Sequence, residues 1–260
     1  MKLTESADPS FFYAGEELEL FSHAIRWKRY WSSQLAPFFG ANVLEVGAGI
    51  GTNTLLLASN RQKRWVGLEP DPRLAQNLKS KVKTLGSRPA VLDVIIGDIR
   101  SLAPESRFDT IVYIDVLEHI ESDHEELEGA FRLLSPGGYL IVLSPAHQFL
   151  YTIFDYGLGH FRRYSRQTLR AVGPRQYAPQ RVFYLDSVGF CASLANRLLL
   201  KQKLPTIRQI KFWDRYFVQS SLILDPLLGF NIGRTVVGIW RKSPDQRDAT
   251  KGEVKVNPSR

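Results

Sequence analysis

Between residues 42 and 144, short runs of β-branched and other apolar residues alternate with longer stretches whose apolar positions recur every three or four residues. Residues 42–46 predict a first strand, which the glycine-rich Gly47-Ala48-Gly49-Ile50-Gly51 connects to a helix opening at Thr52. Residues 65–69 predict a second strand, 74–85 a helix, and 90–96 a third strand that closes at Gly97-Asp98. The alternation continues through strand 108–115, helix 125–134, a Ser135-Pro136-Gly137-Gly138 turn and strand 139–144. Strands separated by helices of about 10–15 residues imply a mainly parallel sheet covered on both faces. The predicted fold class is α/β and doubly wound.

Around this frame the pattern changes. Upstream, Leu18, Phe21, Ile25, Trp31 and Leu35 follow roughly the period of one amphipathic helix over 16–39, ending near Pro37 and Gly40. Past Pro145 the rhythm breaks: residues 146–164 are rich in aromatics, glycine and arginine, hold neither period, and read as an inserted loop. Helix 165–172 resumes with Ser165 as its N-cap, and strand 180–186 follows. The last strand, 235–241, lies about fifty residues further on, too far for a plain connection, so helical candidates at 194–200 and 217–228 form a helical insertion before it. The expected organisation is an N-terminal helical segment 1–40, one domain 41–242 holding the loop 146–164 and the insertion 187–233, and a flexible polar tail 243–260.

Composition narrows the class. With 260 residues, 44% hydrophobic and 23% charged, the chain is neither a disordered tail nor a collagen-like repeat. A single cysteine, Cys191, excludes an internal disulfide and a Cys-rich metal site. Residues 1–10 do not read as a secretory leader, and no run reaches the ~18 apolar residues of a membrane span, so the expected location is cytoplasmic. Charge is split: through Leu150 there are 15 Lys and Arg against 19 Asp and Glu, whereas from Tyr151 onward there are 19 against 7. The basic half points to an anionic partner, either an acceptor with negative charge or the inner face of a membrane. No recognised nucleic-acid module accompanies it.

The candidate chemistry begins at the glycine loop. After the first strand of such a sheet, glycines allow a sharp turn and let a ligand lie against the main chain. Three acids, Glu45, Glu69 and Asp98, mark three successive strand ends and converge on one crevice; Glu69 sits where a carboxylate accepts ribose hydroxyls. A dinucleotide fingerprint requires its third glycine one residue later than Gly51, and Glu45 beside the loop would repel a pyrophosphate while attracting a cationic nucleoside.

Residues 43–144 resemble the class I S-adenosylmethionine-dependent methyltransferases. In that resemblance Gly47, Ala48, Gly49 and Gly51 approach the methionine part of S-adenosyl-L-methionine, and Glu45 orients the loop and the amino group. Glu69, with Pro70, holds the ribose; Asp98 takes the adenine amine, and Ile99 packs beside it. Asp115 and Val116, within Asp115-Val116-Leu117-Glu118-His119-Ile120, line the donor pocket. Residues 133–140 look like the family's helix-turn-strand, and the family implies a Rossmann-like seven-stranded sheet whose last strand inserts antiparallel. Asp155 to Ser165 is similar to a Gly-His-aromatic-Arg-Arg-Tyr segment of a bacterial subgroup, some of whose members accompany glycosyltransferases.

The resemblance implies methyl transfer to a small-molecule, glycan or lipid-linked acceptor. For a hydroxyl acceptor, His160 and His119 are the candidate bases, histidine being the side chain that exchanges protons near neutral pH. His147, Arg162, Arg163 and Tyr164 are the candidate acceptor contacts, the arginines because guanidinium pairs bidentately with phosphate or carboxylate. The acidic start of helix 125–134 around His124 suits the helix dipole, and no metal site is expected. Two alternatives stand beside this reading: an NAD-dependent oxidoreductase on the same sheet, and a non-catalytic protein bound peripherally to a membrane.

Overall fold

A computed structural model describes residues 16–84, 91–200 and 206–244. Seven strands form one sheet: β1 (Asn42–Val46), β2 (Arg64–Glu69), β3 (Val91–Ile96), β4 (Phe108–Ile114), β5 (Leu134–Pro145), β6 (Arg181–Leu185) and β7 (Thr235–Arg241). Their order is β3-β2-β1-β4-β5-β7-β6, with β7 antiparallel to both neighbours and the other pairs parallel. This is the doubly wound, mostly parallel sheet that the alternation predicts, with the inserted antiparallel last strand that the resemblance implies. The order reverses between β1 and β4, so a crevice opens beyond the carboxyl ends of those two strands.

The central strands read as nearly unbroken apolar runs because both faces are covered, and successive side chains enter opposite layers. Leu44, Val66, Ile111, Tyr113 and Leu140 pack on one face with Leu127 and Phe131 of α5 (Asp123–Arg132) and Leu169 of α7 (Arg166–Val172). Val43, Trp65, Val112, Ile114 and Ile141 pack on the other with Trp27, Tyr30, Trp31 and Leu35 of α2 (Ile25–Leu35). In chain order α3 (Thr52–Leu57) follows β1, and α4 (Pro72–Thr84) follows β2. Ser165 caps α7 as expected, its hydroxyl accepting from the Thr168 amide at 3.1 Å.

Several elements depart from the periodic reading. The single helix expected over 16–39 is two, α1 (Glu16–Ser22) and α2, and the break has a tertiary cause. Ala24 has no side-chain acceptor, so the first amides of α2, Arg26 and Trp27, donate instead to the Asp214 carboxylate at 3.1 and 2.8 Å. Asp214→Ala is expected to remove about 1–2 kcal/mol of stability, the worth of an N-cap, with Asp214→Asn losing less; urea midpoints of the three proteins check this. The Ser135–Gly138 turn remains inside β5 as an irregularity, the register passing from Phe108↔Leu134 to Thr110↔Tyr139. Within 146–164 the chain forms a short α6 (Ile153–Gly157), whose capping box joins Thr152 and Asp155.

The insertion before β7 is helical, as expected, but longer in helix than its pattern indicates. It comprises α8 (Ser187–Ala195), which runs into a π-turn at Asn196–Leu200, then α9 (Ile207–Phe212), a π-turn at Trp213–Phe217, and α10 (Val218–Leu227). Two buried acids fasten this cap to the sheet. Asp225 accepts from the Tyr30 hydroxyl and from the amides of Asp186 and Ser187 at 2.7–2.9 Å. Asp186, just past β6, accepts from Trp213 Nε1 at 2.8 Å, Ser221 Oγ at 2.9 Å and the Gly189 amide at 3.0 Å. Among the described residues no helix is long and apolar enough to cross a membrane. Most of the expected tail, from residue 245 on, lies outside the described residues, as do residues 1–15 of the expected N-terminal segment, residues 201–205 of the expected insertion, and the ends of the expected helix at 85 and of the expected strand at 90.

Candidate active site

The crevice beyond β1 and β4 opens into a cavity of about 900 Å³. One part of its wall is the glycine loop. Gly47 takes a φ of +68° and presses on Val116, whose Cγ2 would stand 2.5 Å from any added Cβ, so only glycine fits this turn. At Gly49 the amide donates to Glu69 Oε2 at 2.7 Å, which ties the loop to the end of β2. Glu69 is buried, and its Oε1 accepts from the Asp71 amide at 3.0 Å. A carboxylate offers about four lone-pair sites, so two remain for a ligand. Burial raises the Glu69 carboxyl, while these backbone bonds pull it back.

Glu45 stands behind the loop instead of in the cavity wall. Its Oε2 accepts from Thr54 Oγ1 at 2.6 Å and Trp65 Nε1 at 2.9 Å, which pins the first turn of α3 against β2. Burial pushes its carboxyl up to about 7, against the downward pull of those two bonds and of the Lys28 ammonium. At the third strand end, Asp98 accepts from the Arg100 amide at 3.0 Å and from Arg100 Nε at 2.9 Å. The Arg100 guanidinium holds that carboxyl below its ordinary range. Ile99 is buried against α5, and Pro70 is exposed at the end of β2.

A second group gathers where β4 ends. Asp115 holds a φ of +54°, an unusual conformation for a residue with a Cβ, and faces the cavity. Glu118 is fully buried; Oε2 accepts from Ser144 Oγ at 2.8 Å, while Oε1 has no partner. Its backbone carbonyl accepts from the Phe161 amide at 2.7 Å, which draws the 146–164 segment over the strand end. The rings of His119 and His160 consequently meet edge to face, their centroids 4.5 Å apart. His160 Nδ1 lies 3.1 Å from Asp155 Oδ1, and the same carboxylate takes Arg163 Nε at 2.7 Å and Nη2 at 2.9 Å. Burial alone would raise the Asp155 carboxyl, but the His160 and Arg163 hydrogen bonds outweigh it and hold it well below the usual carboxylate range.

The acceptor-side candidates divide. Arg163 reaches the cavity, but Arg162 and Tyr164 both turn to Asp123, at 2.6 and 2.7 Å. His147 Nε2 is 2.9 Å from the Gly233 carbonyl, and its ring packs on Tyr184 and Phe190. Other cavity residues carry no sequence signal of their own: Trp27, Lys28 and Trp31 from α2, and Arg208, Trp213 and Arg234 from the cap and its exit. Asp155 and Glu118 were within reach of a sequence argument, since they flank the chosen histidines at Asp155…His160 and Glu118-His119.

 A family model described as a methyltransferase domain matches residues 22–197. The tRNA U34 carboxymethyltransferase of Syntrophotalea carbinolica is 33% identical over 119 residues that make up 45% of this chain and 36% of the relative. A Mycolicibacterium smegmatis protein named as a probable S-adenosylmethionine-dependent methyltransferase is 30% identical over 107 residues, 41% of this chain and 38% of its own. The chain thus spans about a third to a half of the length of the first curated relatives it matches. Among solved structures, the magnesium protoporphyrin IX methyltransferase of Synechocystis PCC 6803 with bound SAH superposes with a TM-score of 0.55 at 13% identity, covering 89% of this chain and 90% of that one, a likeness of fold.

Proposed function

The chain belongs to the methyltransferase-domain family, and from that premise we propose that it moves a methyl group from S-adenosylmethionine to a hydroxyl of a small or lipid-linked acceptor with an apolar body and an anionic end. The observation that carries this reading is a single cavity of about 900 Å³ bounded both by the glycine loop and by His119, His160 and Arg163. The family match sets the oxidoreductase alternative aside.

The residues present fit the cofactor. Gly47 cannot carry a side chain against Val116, so the loop offers bare main chain to the cavity, and Glu69 keeps lone pairs for ribose hydroxyls. In this reading Gly47, Ala48, Gly49 and Gly51 lie along the methionine part, Asp115 and Val116 close the donor pocket, and Pro70, Asp98 and Ile99 take the adenine end. Asp98 would accept there in addition to its existing bonds with Arg100. When bound, S-adenosylmethionine supplies a methyl carbon made electrophilic by its sulfonium sulfur. The chain's part is largely positioning, because an in-line displacement gains most from holding the reacting atoms in line.

In this reading His160 meets the acceptor; Asp155 holds Nδ1, which supports Nε2 facing the cavity that His160 lines. Arg163, itself oriented by Asp155, supports an anionic acceptor group, and Trp27, Trp31 and Phe154 support an apolar body. On the cap Ile223 and Leu227 are 68% and 77% exposed, with Lys211 and Arg215 on the same insertion. This surface supports a lipid-linked acceptor met at the inner face of a membrane.

The test is methyl transfer from labelled S-adenosylmethionine into fractionated lipid and small-molecule extracts, with the labelled product then identified. A labelled ether is expected; label arriving only on nitrogen or carbon would overturn the hydroxyl assignment. A pH dependence is also expected. Glu45 loses its proton as pH rises through about 7, placing a negative charge behind the loop where a cationic ligand lies. Donor affinity should therefore rise between pH 6 and 8, on the order of tenfold for about 1.4 kcal/mol of added attraction, and Glu45→Gln should flatten the profile; calorimetric titration across pH measures both. Folding stability runs the other way, since an unfolded glutamate ionises near about 4.3 and the buried carboxylate costs stability as pH rises from there through the folded value.

A further inference from the structure

We propose that Glu118, His119 and His160 form a binding site for one divalent transition-metal ion of the zinc type. This deepens the methyltransfer reading, on which it rests for the substrate. One ligand atom from each of the three side chains lies within 4.8 Å of the others. A cation about 2.1 Å from each ligand needs them roughly 3–3.5 Å apart, so small rotations of the side chains complete the site.

Three further observations point to a cation. Glu118 Oε1 is buried without a hydrogen-bond partner, although an orphaned carboxylate oxygen is costly in a folded interior. Its other oxygen is held by Ser144, which fixes the direction in which the free atom points. His160 also has one ring nitrogen engaged, Nδ1 lying 3.1 Å from Asp155 Oδ1. That is the outer-shell arrangement by which proteins orient metal-bound imidazoles. Finally, Asp115 faces the same cavity and adds a second carboxylate close by, so a cation would relieve repulsion between two acids at the end of β4.

Two imidazoles and one carboxylate suit zinc and its neighbours better than magnesium, which prefers oxygen ligands. Three protein ligands leave a position open, as in catalytic zinc sites. An acceptor hydroxyl taken there would lose its proton more readily, the proton passing to solvent. The oxygen–carbon bond then forms as the carbon–sulfur bond breaks, and the sulfonium leaves as a neutral thioether. In this arrangement His160 Nε2 meets the acceptor hydroxyl through the cation.

The experiment is equilibrium dialysis of chelator-stripped full-length protein against Zn²⁺, with Mg²⁺ for comparison and Co²⁺ absorption as the spectroscopic signature. One equivalent of Zn²⁺ should bind, and Co²⁺ should give visible bands typical of four or five ligands. His119→Ala and Glu118→Gln should each weaken binding by at least tenfold and abolish the bands. His119 serves as the fold-safe variant because it sits on the cavity wall, with the thermal midpoint as its control. Absence of stoichiometric Zn²⁺ binding, or binding unchanged in both variants, would overturn the proposal. S-adenosylmethionine affinity measured on the same samples keeps the two readings apart: cation binding without donor binding counts against methyltransfer alone, and donor binding without cation binding counts against the metal site alone.

Discussion

Glu69→Ala is expected to weaken S-adenosylmethionine binding about 100-fold, measured by calorimetric titration. The carboxylate has two lone-pair sites left after serving Gly49 and Asp71. A hydrogen bond to a charged group contributes about 1.5–3 kcal/mol, so losing two from the ribose amounts to about 3 kcal/mol. Alanine also frees the Gly49 amide, and part of the loss would then come from a loosened loop. Glu69→Gln separates the two effects, since it keeps an acceptor oxygen for that amide, and it should lose closer to tenfold. Affinity of the alanine variant within threefold of the parent would remove Glu69 from the donor site.

His160→Ala is expected to lower kcat by about 10²–10³ while changing donor affinity less than threefold. Loss of a proton-transfer group costs about 10²–10⁴, and loss of a metal ligand in the same place would be similarly severe. Donor affinity should hold because His160 is anchored through Asp155 and His119, on a segment separate from the glycine loop. Steady-state kinetics with the identified acceptor, beside a donor titration, provides both numbers. An unchanged kcat would remove His160 from the chemistry. Parallel loss of donor affinity would instead mean that the whole 146–164 segment had shifted.

The legible part of this protein is local. Alternation of apolar runs with helical periods located the strands that form the sheet, and the Gly47–Gly51 turn was readable because a tight strand-to-helix connection depends on residues next to one another in the chain. His119 and His160 stand out in the sequence as candidates, since few other side chains exchange protons near neutral pH. Their proximity was not legible. They are 41 residues apart, and what brings them together is a backbone bond from Phe161 to Glu118 that no periodicity encodes. Arg162 and Tyr164 show the converse: adjacent to Arg163 in sequence, they turn to Asp123, because neighbouring side chains on an extended segment point to different sides.

The sequence by itself determined the layered α/β sheet, the site of its glycine turn and the acids at its strand ends, since each depends on short-range steric and hydrophobic patterning. Only the tertiary structure decided where α2 begins, how the cap is fastened, and which polar atom is left over. Asp214 caps α2 from 187 residues away, Asp225 reaches back to Tyr30, and Glu118 Oε1 is orphaned only once the interior has closed around it. Such contacts depend on how whole elements pack, and the physical cost of an unpaired buried carboxylate exists only in the folded chain.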